Sequence, residues 1–378
     1  MQINALRKVS AVGIILAMAA GLSACGDNQT TANAAAQENH GEEVQLKGEF
    51  AGSGASSQKS AVDAWIARFN ANQPDATIAY DPSGSGAGVS TFLTGATLWA
   101  GTDAALTSEQ VEQSKKVCEG QTAFDIPVYI SPIAVVYNLK NAGLNDTHVN
   151  LSPATIAQIF NGKITKWNDK KIAAENPKIA SKLPDLNITP VWRSDKSGTT
   201  KNFVSYLADA SDGAWTYEVG ENWPNKIGMG AKGTSGIVST VSQAEGTIGY
   251  VDASQAGSLG TAAIKVGDNY VPYSAEAAAK VVDASPRDKD ATEKGRVVID
   301  IDHTTTESGA YPLVLVSYDA VCPVYKDTQD GEFVKQWLSY VVSEEGQSTA
   351  AENAGSAPMS PALRSDVLKS IDLIGSQK

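Results

Sequence analysis

From position 44 onward the chain alternates short apolar runs with longer segments whose apolar residues recur every three or four positions. Val44 to Phe50 is a candidate strand, and the small-residue loop Ala51 to Ser57 follows it. Next, Ala61, Val62, Trp65, Ile66 and Phe69 fall on one face of a helix. The unit recurs twice. Asp75 to Tyr80 predicts a strand, Asp81 to Gly88 a glycine-rich loop, and Val89 to Leu93 an apolar segment after it. Thr97 to Ala100 predicts a third strand, ending at Gly101-Thr102-Asp103, and Thr107-Ser108-Glu109-Gln110 has the form of a capping box for the next helix. Alternating strands and helices with short connections predict a mostly parallel sheet covered on both faces, with ligands bound beyond the C-terminal strand ends, where these loops fall.

The pattern then changes. Phe124 to Leu139 is long, extended and interrupted by prolines, as suits a segment leaving one lobe and entering another. In the second lobe, Ser152 is placed to cap the helix Ala154 to Phe160, with Pro153 at its first position and Gly162 past its end. Leu186 to Trp192 predicts a strand, Thr200 to Leu207 a helix, Ser235 to Val241 a helix and Thr247 to Val251 a strand. The charge-rich stretch Asp283 to Glu307 is expected to be an exposed insertion, Tyr311 to Tyr318 the return crossing, and Glu332 to Val342 the final helix, closing the first lobe. Two crossings between two α/β lobes predict a two-lobed solute-binding-protein (Venus-flytrap) fold with two hinge-crossing strands. The expected boundaries are 46–130 plus 313–378 for lobe I and 131–312 for lobe II.

The N-terminal residues stand apart from this fold. Arg7 and Lys8 precede an apolar stretch, Ser10 to Gly21, too short to remain a membrane span, and Leu22-Ser23-Ala24-Cys25 follows. That ending resembles the lipobox of bacterial lipoproteins, in which the cysteine is lipidated; the other reading is a plain cleavage site with an incidental cysteine. Residues 1–24 are thus expected to be a lipoprotein signal peptide, and 25–45 the lipidated Cys25 and a polar leash, in which His40 is expected to be solvated. The chain would be tethered to the outer face of the cell membrane by its lipid alone. Outside the cell Cys118 and Cys322, both beside apolar strand candidates, are expected to pair as a disulfide.

Of the 378 residues, 42% are hydrophobic and 19% charged, an ordinary globular balance. The formal net charge is -12, and becomes -14 without residues 1–24, which hold two basic residues and no acid. Such a chain is a poor partner for nucleic acid or anionic lipid. No His/Cys cluster suggests a metal, and no nucleotide loop or cofactor motif is present.

One stretch nevertheless looks built for an anion. Val191-Trp192-Arg193-Ser194-Asp195-Lys196-Ser197-Gly198-Thr199-Thr200 delivers a guanidinium, two hydroxyls and the free N–H groups of a helix start into one loop. Those N–H groups have no partner inside the helix and lie at the positive end of its dipole, so a tetrahedral oxyanion fits there. Aimed dipoles act over a few ångströms, whereas distant surface charge is screened over roughly 8 Å, so net acidity does not exclude the site.

With this loop, Gly-Ser-Gly-Ala-Ser-Ser (52–57), Gly-Ser-Gly-Ala-Gly (84–88), Gly-Thr-Asp (101–103) and Ile-Phe-Asn-Gly-Lys-Ile-Thr-Lys-Trp-Asn-Asp (159–169) make the chain, over about residues 46 to 375, resemble the phosphate-binding lipoproteins of high-affinity phosphate ABC importers. The resemblance implies a monomer that binds inorganic phosphate and docks on the transmembrane subunits of an ABC permease, whose ATPase is a separate chain. It implies phosphate contacts from Ser56, Ser57, Ser85, Asp103, Arg193, Ser197, Gly198 and Thr199. Position 57 is usually aromatic in the family, and the prolines usually found after it are absent; Ser57 is expected to give mainly its backbone N–H. Asp103 can accept a hydrogen bond from a protonated phosphate oxygen, whereas sulfate offers that carboxylate only lone pairs, a mismatch worth about 10⁴–10⁵ in discrimination. Asp195 is placed to orient Arg193 by a bidentate pair. The plainer readings are a helix cap for Asp103 and a surface ion pair with Asp195 for Arg193.

Two other classes were weighed. Another tetrahedral oxyanion, sulfate or molybdate, suits the same donors. An extracellular serine acyl-enzyme is suggested by Ser56-Ser57-Gln58-Lys59, but its companion motifs are absent, Lys232-Gly233-Thr234 has the wrong order, and no histidine falls in the loops. Gly228 to Gly233 matches a dinucleotide fingerprint but follows Trp223-Pro224 with no strand feeding it, and is expected to be a tight turn.

Overall fold

The first three strands are β1 (Gly48–Gly54), β2 (Ala76–Asp81) and β3 (Trp99–Thr102), each followed by a helix: α1 (Lys59–Asn72), α2 (Ser85–Leu93) and α3 (Ser108–Ser114). The computed structural model describes residues 45–375, so the leader, the Cys25 anchor and His40 lie outside the described residues. Next come β4 (Phe124–Tyr137), β5 (Val149–Leu151), α4 (Pro153–Phe160), α5 (Lys170–Glu175), β6 (Thr189–Arg193), α6 (Gly198–Ala210), β7 (Met229–Ala231) and α7 (Gly233–Gln243). The rest is β8 (Thr247–Asp252), β9 (Gly260–Val266), β10 (Asn269–Val271), α8 (Ala275–Ala284), β11 (Val314–Val321), α9 (Thr328–Val341), α10 (Glu344–Ala354) and α11 (Pro361–Ile371).

One curled sheet runs β2-β1-β3-β11-β4-β8-β6-β7, with β9, β5 and β10 branching from β4. β1 is parallel to β2 and β3, and β6 to β7 and β8. The crossing strands are antiparallel: β11 to β3 and β4, and β4 to β8. The sheet is therefore mixed rather than mostly parallel, because a strand that returns from the second lobe enters the first in the opposite sense. β4 is the shared beam. Phe124 to Pro132 pairs with β11, and Ile133 to Tyr137 with β8, and all fourteen residues are buried. Its prolines do not break it. Pro127 lies at a β-bulge, where the register slips between Ser317 and Tyr318, a position that tolerates a missing N–H.

Each lobe has an aromatic core. Phe50 stacks on Phe333 at 4.0 Å, with Phe69, Trp99 and Trp337 around them. In the other, Phe203 stacks on Tyr250 at 4.2 Å beside Phe160 and Trp223. Truncating one such ring costs about 3–5 kcal/mol. Cys118 and Cys322 form a disulfide with Cα atoms 5.0 Å apart, tying the loop after α3 to the end of β11.

Several expectations need correction. Glu332 to Val342 is not in the final helix, since α10 and α11 follow; the apolar positions of α10 are alanines, while α11 carries Leu363, Val367 and Ile371 at helical spacing behind Ser360-Pro361. Gly228 to Gly233 is not simply a turn, because Met229–Ala231 forms edge strand β7 beside β6. The stretch Asp283 to Glu307 is not simply exposed. Val297, Val298 and Ile299 are buried, Ile299 N–H donates to Tyr318 at 3.1 Å, and Arg296 reaches Asp125 at 2.6 Å and the carbonyl of Leu106 at 2.8 Å. Its charges looked solvated in sequence because their partners lie about 170 positions away.

The junction of the lobes holds a buried acid. Asp252 ends β8 opposite Ile133, and its Oδ1 accepts from Tyr129 at 3.1 Å and from Ser254 N–H at 3.0 Å. Burial pushes its carboxyl up to about 7, against the pull of the Ser254 and Ser131 hydroxyls. An unfolded aspartate titrates near 3.9, so the folded state holds the extra proton between about pH 4 and 7. This contribution to stability is complete below about pH 4 and lost as pH rises through about 7. Asp252→Asn, always neutral, should therefore match wild type in urea unfolding near pH 4 and exceed it by about 2–4 kcal/mol near pH 8. An equal difference at both would rule out this linkage.

Candidate functional site

Four helix starts meet where the two lobes face each other. α1 follows β1 through Ala55 to Gln58, α2 follows β2, α6 follows β6, and α7 follows β7 through Lys232 alone. All lie at C-terminal ends of parallel strands, the usual ligand position in such sheets. Ser197 caps α6, its Oγ accepting from Thr200 N–H at 3.1 Å, while α1, α2 and α7 have no side-chain cap. The helix N-termini gathered here offset the protein's overall negative charge locally, although at α7 the Gly233 N–H already donates to Asp195 at 3.0 Å and the Thr234 N–H to Ser56 Oγ at 3.1 Å.

Asp103, just past β3, is 2% exposed and lies at the centre. Its carboxylate accepts from Ser57 Oγ at 2.6 and 2.8 Å, from Ser317 Oγ at 2.5 Å and from Thr199 Oγ1 at 2.7 Å. Its N–H donates to Ser85 Oγ at 3.3 Å, and its carbonyl accepts from Asn202 at 2.6 Å. It does not cap α3, because Thr107 does so in the expected capping box. The bonds to Thr199 and Asn202 cross between lobes. So do Ser56 with Thr234, hydroxyl to hydroxyl at 3.0 Å, and Gln255 to the Ser56 carbonyl at 3.0 Å.

Arg193 ends β6 with its side chain 2% exposed. Nε reaches Asp195 Oδ1 at 2.8 Å and Nη2 reaches Oδ2 at 2.5 Å, the bidentate fork rather than a surface pair. Burial pushes Asp195 up, but Arg193 and the N–H of Gly233 at 3.0 Å outweigh it, and its carboxyl lies below the usual range. The guanidinium is thereby fixed while its remaining N–H groups stay free to donate.

Two glycines are required. Gly84 has φ +103°, and a Cβ there would lie 2.6 Å from Asp195 Oδ2; at Gly198 it would lie 2.8 Å from the Asp103 Cβ. Both let the lobes close on each other.

All eight expected contact residues and Asp195 are thus brought into one buried cluster. Ser57 differs in role: its hydroxyl, not only its N–H, faces the site, bound to Asp103. Thr234, Ser317, Gln58 and Asn202 were missed. The signal for Ser317 was a polar residue in a strand that is otherwise largely apolar; Thr234 stood in view only as part of a motif in the wrong order. Among the described residues no group of His, Cys, Asp and Glu could hold a metal ion, and no helix is long and apolar enough to cross a membrane. His148 and His303 bind the carbonyls of Thr261 and Pro312, away from the site serines.

A family model described as a PBP superfamily domain matches residues 28–345. The chain is 34% identical over 381 residues to phosphate-binding protein PstS 3 of Mycobacterium tuberculosis, covering 97% of this chain and 98% of that one. It is 32% identical to PstS 2 of the same species over 97% and 99% of the two chains. Among solved structures, a periplasmic phosphate-binding protein (PfluDING) bound with phosphate aligns with a TM-score of 0.67 at 17% identity, over 85% of this chain and 93% of that one. A putative phosphate ABC transporter substrate-binding protein from Clostridium perfringens, with bound phosphate, aligns at 0.55 and 20% identity, over 81% and 98%. These likenesses support the two-lobed fold. The chain belongs to the PBP superfamily and, within it, to the PstS family of phosphate-binding proteins.

Proposed function

We propose that the protein binds inorganic phosphate outside the cell and delivers it to an ABC permease. The observation that carries this reading is Asp103, a buried acceptor among hydroxyls, helix N-termini and a fixed guanidinium. Donors alone suit any tetrahedral oxyanion. An acceptor among them favours one that carries a proton, as phosphate does at neutral pH and sulfate and molybdate do not. The relatives named for phosphate support the same reading.

Ser56, Ser85 and Ser197 would donate hydroxyls, and Ser57, Gly198 and Thr199 backbone N–H groups, the Thr199 hydroxyl being held by Asp103. Arg193 would supply charge and Asp103 would accept a hydrogen bond from the ligand's protonated oxygen. The protein would act as a monomer tethered by lipid on Cys25, without a cofactor and without turnover.

Binding to the folded state alone raises stability by about 2.7 kcal/mol at a hundred times Kd. Thermal unfolding should therefore shift upward with phosphate and not with equal sulfate or molybdate. A larger shift with sulfate or molybdate would favour the other oxyanion class; sustained ester or β-lactam hydrolysis abolished by Ser56→Ala would favour the enzyme.

A further inference from the structure

Ser317 lies on the return strand β11, more than two hundred positions after Asp103, and both side chains are buried. Its Oγ is 2.5 Å from Asp103 Oδ1 and 2.8 Å from Gln58 Nε2. The same Gln58 Nε2 donates to the carbonyl of Tyr318 at 3.1 Å. A carbonyl can only accept, so the amide nitrogen of Gln58 must be the atom facing β11, and Ser317 Oγ receives its hydrogen bond. A hydroxyl has one proton; with Gln58 donating to it, Ser317 must direct that proton at Asp103. The register with β4 slips between Ser317 and Tyr318, the extra residue being Val128 on β4.

Three hydroxyls thus give their protons to Asp103: Ser317 on Oδ1, Thr199 on Oδ2, and Ser57 across both. A carboxylate has room for about four donors. Little acceptor capacity remains, and all the protein's donors demand that the carboxylate stay an acceptor. Were Asp103 to take a proton, it would become a donor itself, and one of the three hydroxyls would lose its partner inside a buried cluster.

We infer that Ser317, oriented by Gln58, is a specificity-determining residue. It holds Asp103 as an acceptor with one place left, so that only an oxyanion carrying its own proton completes the cluster. Gln58 is a positioning residue that acts through Ser317 and touches no ligand. The inference rests on the phosphate reading and deepens it.

The test is calorimetric titration of wild type, Ser317→Ala, Ser317→Thr and Gln58→Glu with phosphate and with sulfate, at about pH 8 and about pH 5, after confirming cooperative thermal unfolding of each. Loss of one charge-assisted donor is worth roughly 1.5–3 kcal/mol, or about 10- to 100-fold. Ser317→Ala should lower the phosphate-to-sulfate preference by that factor at both pH values, since the hydroxyl that fixed Asp103 as an acceptor is gone. Ser317→Thr, which keeps the hydroxyl, should restore it. Gln58→Glu, which offers Ser317 an acceptor in place of a donor, should act in the direction of Ser317→Ala. A merely structural role would lower stability or both affinities together and leave the ratio unchanged. An unchanged ratio in Ser317→Ala, with wild type binding phosphate selectively, would overturn this inference and leave the phosphate reading standing. Failure of wild type to bind phosphate would overturn both.

Discussion

Arg193→Met should weaken phosphate binding by about 3–5 kcal/mol, roughly 10²–10⁴-fold in Kd. The side chain is 2% exposed, and Asp195 holds it by two parallel bonds. Removing it takes away the cluster's fixed positive charge and leaves the Asp195 carboxylate beside an incoming anion with only Gly233 N–H to hold it. Arg193→Lys keeps the charge but not the fork, and should fall between. Calorimetry on the folded variants measures both losses. A change within about threefold for Arg193→Met, well under 1 kcal/mol, would mean that the guanidinium serves the fold and not the ligand.

Asp103→Asn should act on choice rather than strength. Asparagine offers an amide donor where the carboxylate accepts, so sulfate gains a partner and loses a repulsion, while protonated phosphate loses its acceptor. Discrimination of about 10⁴–10⁵ should shrink by at least about a hundredfold, mostly through tighter sulfate binding. The amide oxygen can still accept from Ser317 and Ser57, and Thr199, which bonds the other carboxylate oxygen, can turn a lone pair to the amide nitrogen, so the fold is expected to hold. Equal loss of both ligands would instead mark Asp103 as a positioning group for the loop.

Much of the site was legible before the fold. Arg193, Asp195, Ser197 and Thr199 lie within one turn, and a helix start after an apolar strand identifies an anion loop by local chemistry. Ser56, Ser85 and Asp103 fall in small-residue loops after strands, and the family resemblance of those loops implied them as contacts. What adjacent residues could not reveal were pairings between distant segments. Ser317 meets Asp103 only because β11 returns antiparallel beside β3. Thr234 meets Ser56 only because β7 adds an edge strand beside β6 that places the start of α7 across the cleft. The strap around Arg296 was hidden for the same reason, its charges being satisfied by Asp125 and the Leu106 carbonyl on the far side of the chain. Ser57 looked like an N–H donor because its position is usually aromatic in the family; its hydroxyl finds Asp103, 46 positions away. The need for glycine at 84 and 198 was hidden likewise, because the atoms a Cβ would meet belong to the opposite lobe.

The central claim is that an acceptor, Asp103, sits among donors and selects a protonated oxyanion. Its most direct measurement is calorimetric titration of the wild-type protein with phosphate and then with sulfate, near pH 7 in a buffer free of both. The account predicts one saturable phosphate site and sulfate binding weaker by at least about 10³-fold. Sulfate binding as tight as phosphate, or no phosphate binding at all, would contradict it.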